Sequence, residues 1–286
     1  MRVHLLVNYH RPDALGAAAE AASELQKRGA QVAADVESAR RLNLSPVLDT
    51  AFAESDLVIT FGGDGTLIRA ANLCSEKGTP ILGVYYGRFG FVTQCQSQEL
   101  PLCIDAVFDK SAHVEERMML QTDLVRNGKV VSTLHSLNET VLQREVTSRM
   151  MIFEVTVDKN PLTRYPADGV LIATATGSTG YNLSSGGPIL HPLVQGMILT
   201  AISPHTLSAR PLVLRAESVV EFSVRTEGDA VLSTDGHVRL HLLSGDVVRV
   251  SKSPRITRLV SIGKDDFLVK LSERLLWSYR IMEDGN

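Results

Sequence analysis

One carboxylate set among glycines is the chemistry that stands out in this chain. The run Phe61-Gly62-Gly63-Asp64-Gly65-Thr66 follows directly on the apolar stretch Leu57-Val58-Ile59-Thr60. A buried strand ending in a tight loop is the natural reading. Beyond the loop, Thr66 to Cys74 carries apolar residues at helical spacing. Glycines let the backbone approach a phosphate closely, and the N-terminus of the following helix offers free N–H groups to an anion. Asp64 then sits where a phosphate chain would lie, and a carboxylate there needs a metal or a proton to handle. For four residues alone, the alternative is a tight strand-to-helix turn with a solvated aspartate.

Two further clusters carry polar chemistry. Ala173 to Pro188 (ATATGSTGYNLSSGGP) is dense in hydroxyls and glycines opening a short helix, which Gly186-Gly187-Pro188 ends abruptly. Such a cradle can hold a ribose or a phosphate; the plain alternative is a Ser/Thr-capped helix. Asn138-Glu139 interrupts the strand-like stretch Ser136 to Leu142. An amide beside a carboxylate can read the donors and acceptors of a base or a sugar, but taken alone the pair reads as a strand edge facing water. Walker-type GxxxxGK[ST] and dinucleotide-type GxGxxG loops are missing, as are HExxH and a Ser-His-Asp order.

These clusters need elements to position them. The chain has 286 residues, 44% hydrophobic and 21% charged, which is ample for one large or two ordinary folded domains. A net charge of −3 argues against general nucleic-acid or anionic-membrane binding. No apolar run approaches the ~18 residues of a spanning helix, and the N-terminus turns polar too soon for a signal peptide. Cys74, Cys95 and Cys103 form no CxxC pair, so the expectation is a cytoplasmic protein with reduced thiols.

In the first part, strand-like runs (Val3 to Val7, Gln31 to Asp35, Leu57 to Phe61, Pro80 to Val84) alternate with helical patterns such as Asp13 to Arg28, closed by Gly29. That alternation predicts an α/β, Rossmann-like domain with a parallel sheet. From about Met118 the pattern changes to hairpins. Asn127-Gly128 separates Leu120–Arg126 from Val130–Leu134, and Lys159-Asn160-Pro161 breaks the chain between Met151–Val157 and Val170–Ala173. Val219–Val224, Ala230–Ser233, His237–Leu243 and Val247–Val250 follow, with turns at Glu227-Gly228 and Ser244-Gly245. An all-β, sandwich-like domain is expected over 113–264, the α/β domain over 1–112. In the tail, Phe267, Leu268, Leu271, Leu275 and Leu276 share a helical face, so residues 265–286 are expected to return to the first domain.

Taken together, Gly62 to Thr66, Gly83 to Phe91 (GVYYGRFGF), Asn138-Glu139, Asp168-Gly169, Thr176 to Pro188 and Ser203 to Leu214 (SPHTLSARPLVL) resemble the NAD kinase family, in the same order, over about residues 56 to 240. Gly-Gly-Asp-Gly alone is shared with phosphofructokinases and diacylglycerol kinases; the long Gly/Ser/Thr run with the Asn-Glu pair is far more specific. The resemblance implies phosphoryl transfer from ATP or polyphosphate to the adenosine ribose 2′-hydroxyl of NAD, giving NADP, with NADH as a second acceptor. It implies Asp64 as the catalytic carboxylate, and Gly62, Gly63, Gly65 and Arg69 as the donor loop. It places Asn138, Glu139, Arg149, Asp168, Thr179, Tyr181, Asn182, Ser184 and His237 on the dinucleotide. Mg²⁺ or another divalent cation is implied, held through the phosphates with no direct protein ligand, Asp64 being the one candidate. A homo-oligomer, dimer or tetramer, is implied as well.

The chain departs from the family at Tyr85 (usually Asn), Pro166 (commonly Arg), Gly180 (usually Ala) and near His237 (often Gln). A lipid or sugar kinase of the same superfamily also fits Gly62 to Thr66, but gives the Thr176–Pro188 run no task. A non-catalytic NAD(H)- or NADP(H)-binding regulator is the reading of another class, and the intact Asp64 argues against it.

Overall fold

The computed structural model describes residues 1–86, 90–92, 95–145, 151–225, 229–262 and 267–275. They form two compact units. One comprises Met1–Leu67, Pro80–Glu115 and the chain from Leu259 onward; the other comprises Ile68–Thr79 and Glu116–Arg258.

The first unit contains β1 (Arg2–Val7), α1 (Pro12–Lys27), β2 (Gln31–Asp35), α2 (Val36–Leu42), β3 (Ser45–Val47), β4 (Leu57–Gly62), the start of α3 (Asp64–Cys74), β5 (Ile81–Tyr85), β6 (Cys95–Gln96) and α4 (Leu100–Phe108). Its strands pair in parallel in the order β5-β4-β1-β2-β3, with Val3 opposite Leu57 and Phe61 opposite Val84. Every residue of β4 and β5 is buried. Continuous burial is what a parallel strand covered on both faces requires, and it explains the unbroken apolar runs. The helix α1 turns Ala14, Ala18, Ala21, Ala22 and Leu25 inward and ends at Gly29, whose φ of 80° only glycine adopts without strain.

The short α2 and α4 are absent from the sequence expectation. The sequence of α2, VESARRL, is too short and too charged to show a period; it is started by the Asp35 carboxylate, which accepts from the Ser38 N–H at 3.2 Å. Cys103 on α4 faces the same core as Cys95 on β6, and the two are joined as a disulfide. The expectation of three reduced thiols is therefore corrected: spacing along the chain does not reveal that a strand and a helix meet there. Cys74 is free and buried, and burial pushes its thiol up to about 12.

The second unit is built from β7 (His113–Arg126), β8 (Lys129–Ser136), β9 (Glu139–Arg144), β10 (Met151–Val157), β11 (Asn160–Ala167), β12 (Gly169–Thr174), α5 (Tyr181–Ser184), β13 (Gly196–Ile202), β14 (Leu212–Arg215), β15 (Val220–Arg225), β16 (Ala230–Thr234), β17 (Val238–Leu242) and β18 (Val247–Ser261). One antiparallel layer runs β11-β10-β15-β18, with β7 joined to β18 and β8 to β7. The other runs β14-β13-β12-β9-β16-β17. Alternate residues of both layers, among them Phe153, Phe222 and Val250 from one and Ile172, Leu199 and Leu232 from the other, form a single core. This is a sandwich. The final residues of β18 belong to the first unit, where Leu259 pairs with Ile81.

Asn127-Gly128 makes the expected two-residue turn, with φ of 51° and 74°. The break at Lys159-Asn160-Pro161 is a turn one residue earlier, Asp158-Lys159 with φ of 50° and 68°, and a strand the sequence reading missed, β11, follows at once. Pro161 and Pro166 disguise it; as the outermost strand of its layer, β11 has one side that needs no ladder donors. The turn expected at Glu227-Gly228 lies outside the described residues.

The last helix, α6 (Phe267–Arg274), falls in the first unit. It buries Phe267, Lys270 and Leu271, whereas Leu268 is exposed and leaves the expected apolar face. Leu276 lies outside the described residues.

Candidate active site

In the first unit the site begins where β4 stops. A side chain on Gly62 would overlap Thr66 and come within 3.3 Å of the Asn8 Cβ, so the strand-to-helix corner admits glycine only. Gly63 and Gly65 differ: a Cβ on either would meet nothing within 4 Å. Packing does not demand these two glycines, and they leave the loop backbone uncovered. Asp64 is the first residue of α3, and its carboxylate is half-buried. Its Oδ2 accepts from the Phe91 N–H at 3.0 Å and its Oδ1 from the Val92 N–H at 3.3 Å. Two backbone donors from one segment fix the plane of the carboxylate. Phe91 in turn lies under the Arg274 guanidinium, 5.6 Å from the ring centroid and so inside the ~6 Å reach of a cation–π contact. Arg69 is on the exposed side of α3. Residues 87–89 of the Gly83–Phe91 motif lie outside the described residues, and Tyr85 is buried in β5.

In the second unit, Leu137 and Asn138 form the corner between β8 and β9. Thr174 holds it from one side: its hydroxyl donates to the Leu137 carbonyl at 2.6 Å and its N–H to the Asn138 carbonyl at 2.8 Å. A Cβ on Gly177 would overlap the Asn138 peptide, which explains a glycine inside the hydroxyl-rich run. Asp235 holds the corner from the other side, accepting from the N–H groups of Leu137, Asn138 and Glu139.

Glu139 is 8% exposed, on a strand with neighbours on both sides, which corrects the water-facing edge expected of the isolated pair. Burial, reinforced by the charge of Asp235, raises its carboxyl to about 7 against a bond from the Tyr181 N–H that lowers it. Its Oε2 and the Asn138 Oδ1 are both buried with no hydrogen-bond partner among the described residues. Such orphaned acceptors call for a ligand or water donor. Gly180 stands over them: a Cβ there would lie 3.1 Å from the Glu139 Oε2, so glycine in place of the usual alanine gives this carboxylate room.

The remaining expected residues separate by what they touch. Thr179 is half-buried; the side chains of Tyr181 and Ser184 are exposed. Asn182 is fully buried. Its amide donates to the Ser178 and Pro188 carbonyls at 3.1 and 3.0 Å and accepts from the Thr200 hydroxyl at 2.8 Å, so it braces the cradle from within. Asp168 is half-exposed, and its Oδ1 takes the Arg144 Nε–H at 2.8 Å. Asp168, which the resemblance places on the dinucleotide, is therefore one half of an ion pair. His237 is exposed after the Asp235-Gly236 turn, and Arg149 lies outside the described residues. Sequence reasoning missed Asp235, Asn72 and Arg144; an Asp-Gly pair signals only a turn, and nothing local marks the other two.

The family models for the ATP-NAD kinase N-terminal and C-terminal domains match residues 3–112 and 137–262. The NAD kinase of Citrifermentans bemidjiense is 37% identical over 286 residues, covering 98% of this chain and 99% of that protein. The crystal structure of yeast NADH kinase complexed with NADH superposes with a TM-score of 0.92 at 25% identity, covering 99% of this chain and 90% of that one. An NAD kinase from Archaeoglobus fulgidus, solved in complex with ATP, shares the fold at 21% identity with a TM-score of 0.78, over 98% of this chain and 100% of that one. The chain belongs to the NAD kinase family.

Proposed function

We propose that this chain transfers a phosphoryl group from ATP to the adenosine ribose 2′-hydroxyl of NAD, giving NADP, and that its polar residues divide the work as follows. Asp64 accepts or orients the proton of the attacking hydroxyl, its carboxylate plane being held by two backbone N–H groups. The backbone of Gly62, Gly63 and Gly65, with Arg69, receives the donor phosphates; the open space beside Gly63 and Gly65 suits a bulky anion against bare backbone. Asn138 and Glu139 take the adenosine part, and the observation that carries this is the pair of buried acceptors, Asn138 Oδ1 and Glu139 Oε2, left without partners among the described residues. Thr179, Tyr181 and Ser184 line the cradle around the dinucleotide, and His237 and Arg149 complete its contacts. Asp168, with Arg144, meets the nicotinamide half.

A divalent cation such as Mg²⁺ supplies charge neutralisation at the transferring phosphoryl group. The phosphates would hold it, with the Asp64 carboxylate as the nearest candidate protein group. Phosphoryl transfer asks for positioning and charge stabilisation, and a fixed carboxylate on a rigid loop meets the protein's share of that demand.

Incubation with NAD, ATP and Mg²⁺, read by an NADP-specific dehydrogenase, tests the reading; absence of NADP overturns it. Polyphosphate in place of ATP, and NADH in place of NAD, define donor and acceptor range in the same assay. The NADH-bound yeast relative favours including NADH. No helix among the described residues is long and apolar enough to cross a membrane. A homo-oligomer completes the proposal, with sedimentation equilibrium as its test.

A further inference from the structure

Asp235 opens the hairpin turn between β16 and β17, with φ of 50° at Asp235 and 72° at Gly236. A turn of this hand asks only for residues that tolerate positive φ, and asparagine or glycine at 235 would satisfy it. The carboxylate is used elsewhere. Its Oδ1 accepts from the Asn138 N–H at 2.8 Å and the Glu139 N–H at 3.2 Å. Its Oδ2 accepts from the Leu137 N–H at 2.8 Å and from the side-chain amide of Asn72, on α3, at 3.1 Å. The N–H of Asp235 returns a bond to the Glu139 carbonyl at 3.0 Å. All three N–H groups of the Leu137–Glu139 corner therefore end on one buried carboxylate. Converging backbone donors make a small concavity of positive potential, which a carboxylate fills and a neutral side chain cannot. The cost is a negative charge, 8% exposed, set beside the buried Glu139. A turn alone gives no return on that cost.

We propose that Asp235 is a positioning residue for the dinucleotide: its carboxylate, steadied by Asn72, fixes the backbone of Asn138 and Glu139 so that their two orphaned acceptors present one geometry to the ligand. This rests on the assignment of Asn138 and Glu139 to NAD. Asp235 itself touches no ligand and acts through its neighbours.

The test is steady-state NADP formation by the full chain, with the KM for NAD and the KM for ATP measured separately. In Asp235→Asn an NH₂ group replaces one acceptor oxygen and faces two donors. Loss of bonds to buried partners on that scale corresponds to a rise in NAD KM of about tenfold to a hundredfold. The KM for ATP is expected to stay within about twofold. Asn72→Ala removes one donor and leaves the turn intact; its NAD KM is expected to rise by about threefold, and it decides the matter if Asp235→Asn does not fold. The third arm introduces Asp235→Asn into the Asn138→Ala Glu139→Ala double variant. A residue acting through that pair adds little once the pair is gone, whereas independent effects multiply. An unchanged NAD KM in both single variants, or a full multiplicative penalty in the combined one, overturns the proposal. Wild-type activity in the same assay separates the two failures: no NADP from wild type refutes the functional reading, whereas an active wild type with an indifferent Asp235→Asn refutes this inference alone.

Discussion

Replacing Glu139 by glutamine should remove a pH dependence that the fold itself creates. In the folded chain the Glu139 carboxyl sits near 7, raised from an ordinary value of 4.5 first by burial and then by the charge of Asp235. Between those two values the folded state holds a proton that the unfolded state has released. Stability contributed by the neutral form is therefore complete below about pH 4.5, declines as pH rises through the interval, and is gone above about 7. At 1.36 kcal/mol per tenfold, the interval from 4.5 to about 7 bounds the effect at about 3 kcal/mol. Glutamine keeps the shape and stays neutral throughout, so its stability should not follow this decline. Urea unfolding of both proteins at pH 5, 6, 7 and 8 supplies the assay. The stability of Glu139→Gln relative to wild type should improve by about 1–3 kcal/mol from pH 5 to pH 8. Asp235 is retained in both proteins, so its own titration largely cancels in the difference. Parallel profiles across that range would refute the reasoning, because they would mean that the Glu139 carboxyl titrates alike in the folded and unfolded chains.

Two other substitutions test separate parts of the site. Gly177→Ala drives a Cβ into the Asn138 peptide; the NAD KM should rise by at least about tenfold while the ATP KM holds, and equal losses on both substrates would contradict the local displacement. Asp168→Ala removes a negative charge from the pair while Arg144 stays, so kcat/KM should fall more for cationic NAD than for NADH; a ratio unchanged from wild type would remove the pair from the nicotinamide half.

How far the chain could be read without its structure follows from where each signal resides. The parallel strands announced themselves because β4 and β5 are buried at every position and so carry unbroken apolar runs. Asn127-Gly128 and Gly29 were legible because their conformations belong to particular residue types. The strand β11 was hidden by prolines that an outer strand tolerates, and α2 by its shortness. Leu268 was misplaced because spacing within one helix does not say which part of an apolar stripe the fold covers.

The site divides in the same way. Gly62 to Thr66 and Thr176 to Gly187 are contiguous, and their loops could be inferred locally. The burial of Glu139 could not. Its cover comes from Asp235, 96 positions later, and from the turn before Tyr181. Likewise the partner of Asp168 lies 24 positions earlier, on a neighbouring strand, so the sequence showed a lone carboxylate where the fold makes an ion pair. The Cys95–Cys103 disulfide is illegible for a similar reason, since it depends on a strand and a helix meeting in one core.

The central claim is that Asp64 serves the chemical step and that binding of the dinucleotide is the task of other residues. Asp64→Asn measures it most directly, with kcat taken from NADP formation at saturating NAD and ATP, and the NAD dissociation constant from equilibrium titration. Asparagine can keep one acceptor for the N–H groups of Phe91 and Val92 but cannot take a proton. Loss of a proton acceptor costs about two to four decades of rate, so kcat should fall by about 10²- to 10⁴-fold while the NAD dissociation constant changes by less than about tenfold. Turnover near the wild-type value, or a collapse of NAD binding with kcat preserved, would contradict the account.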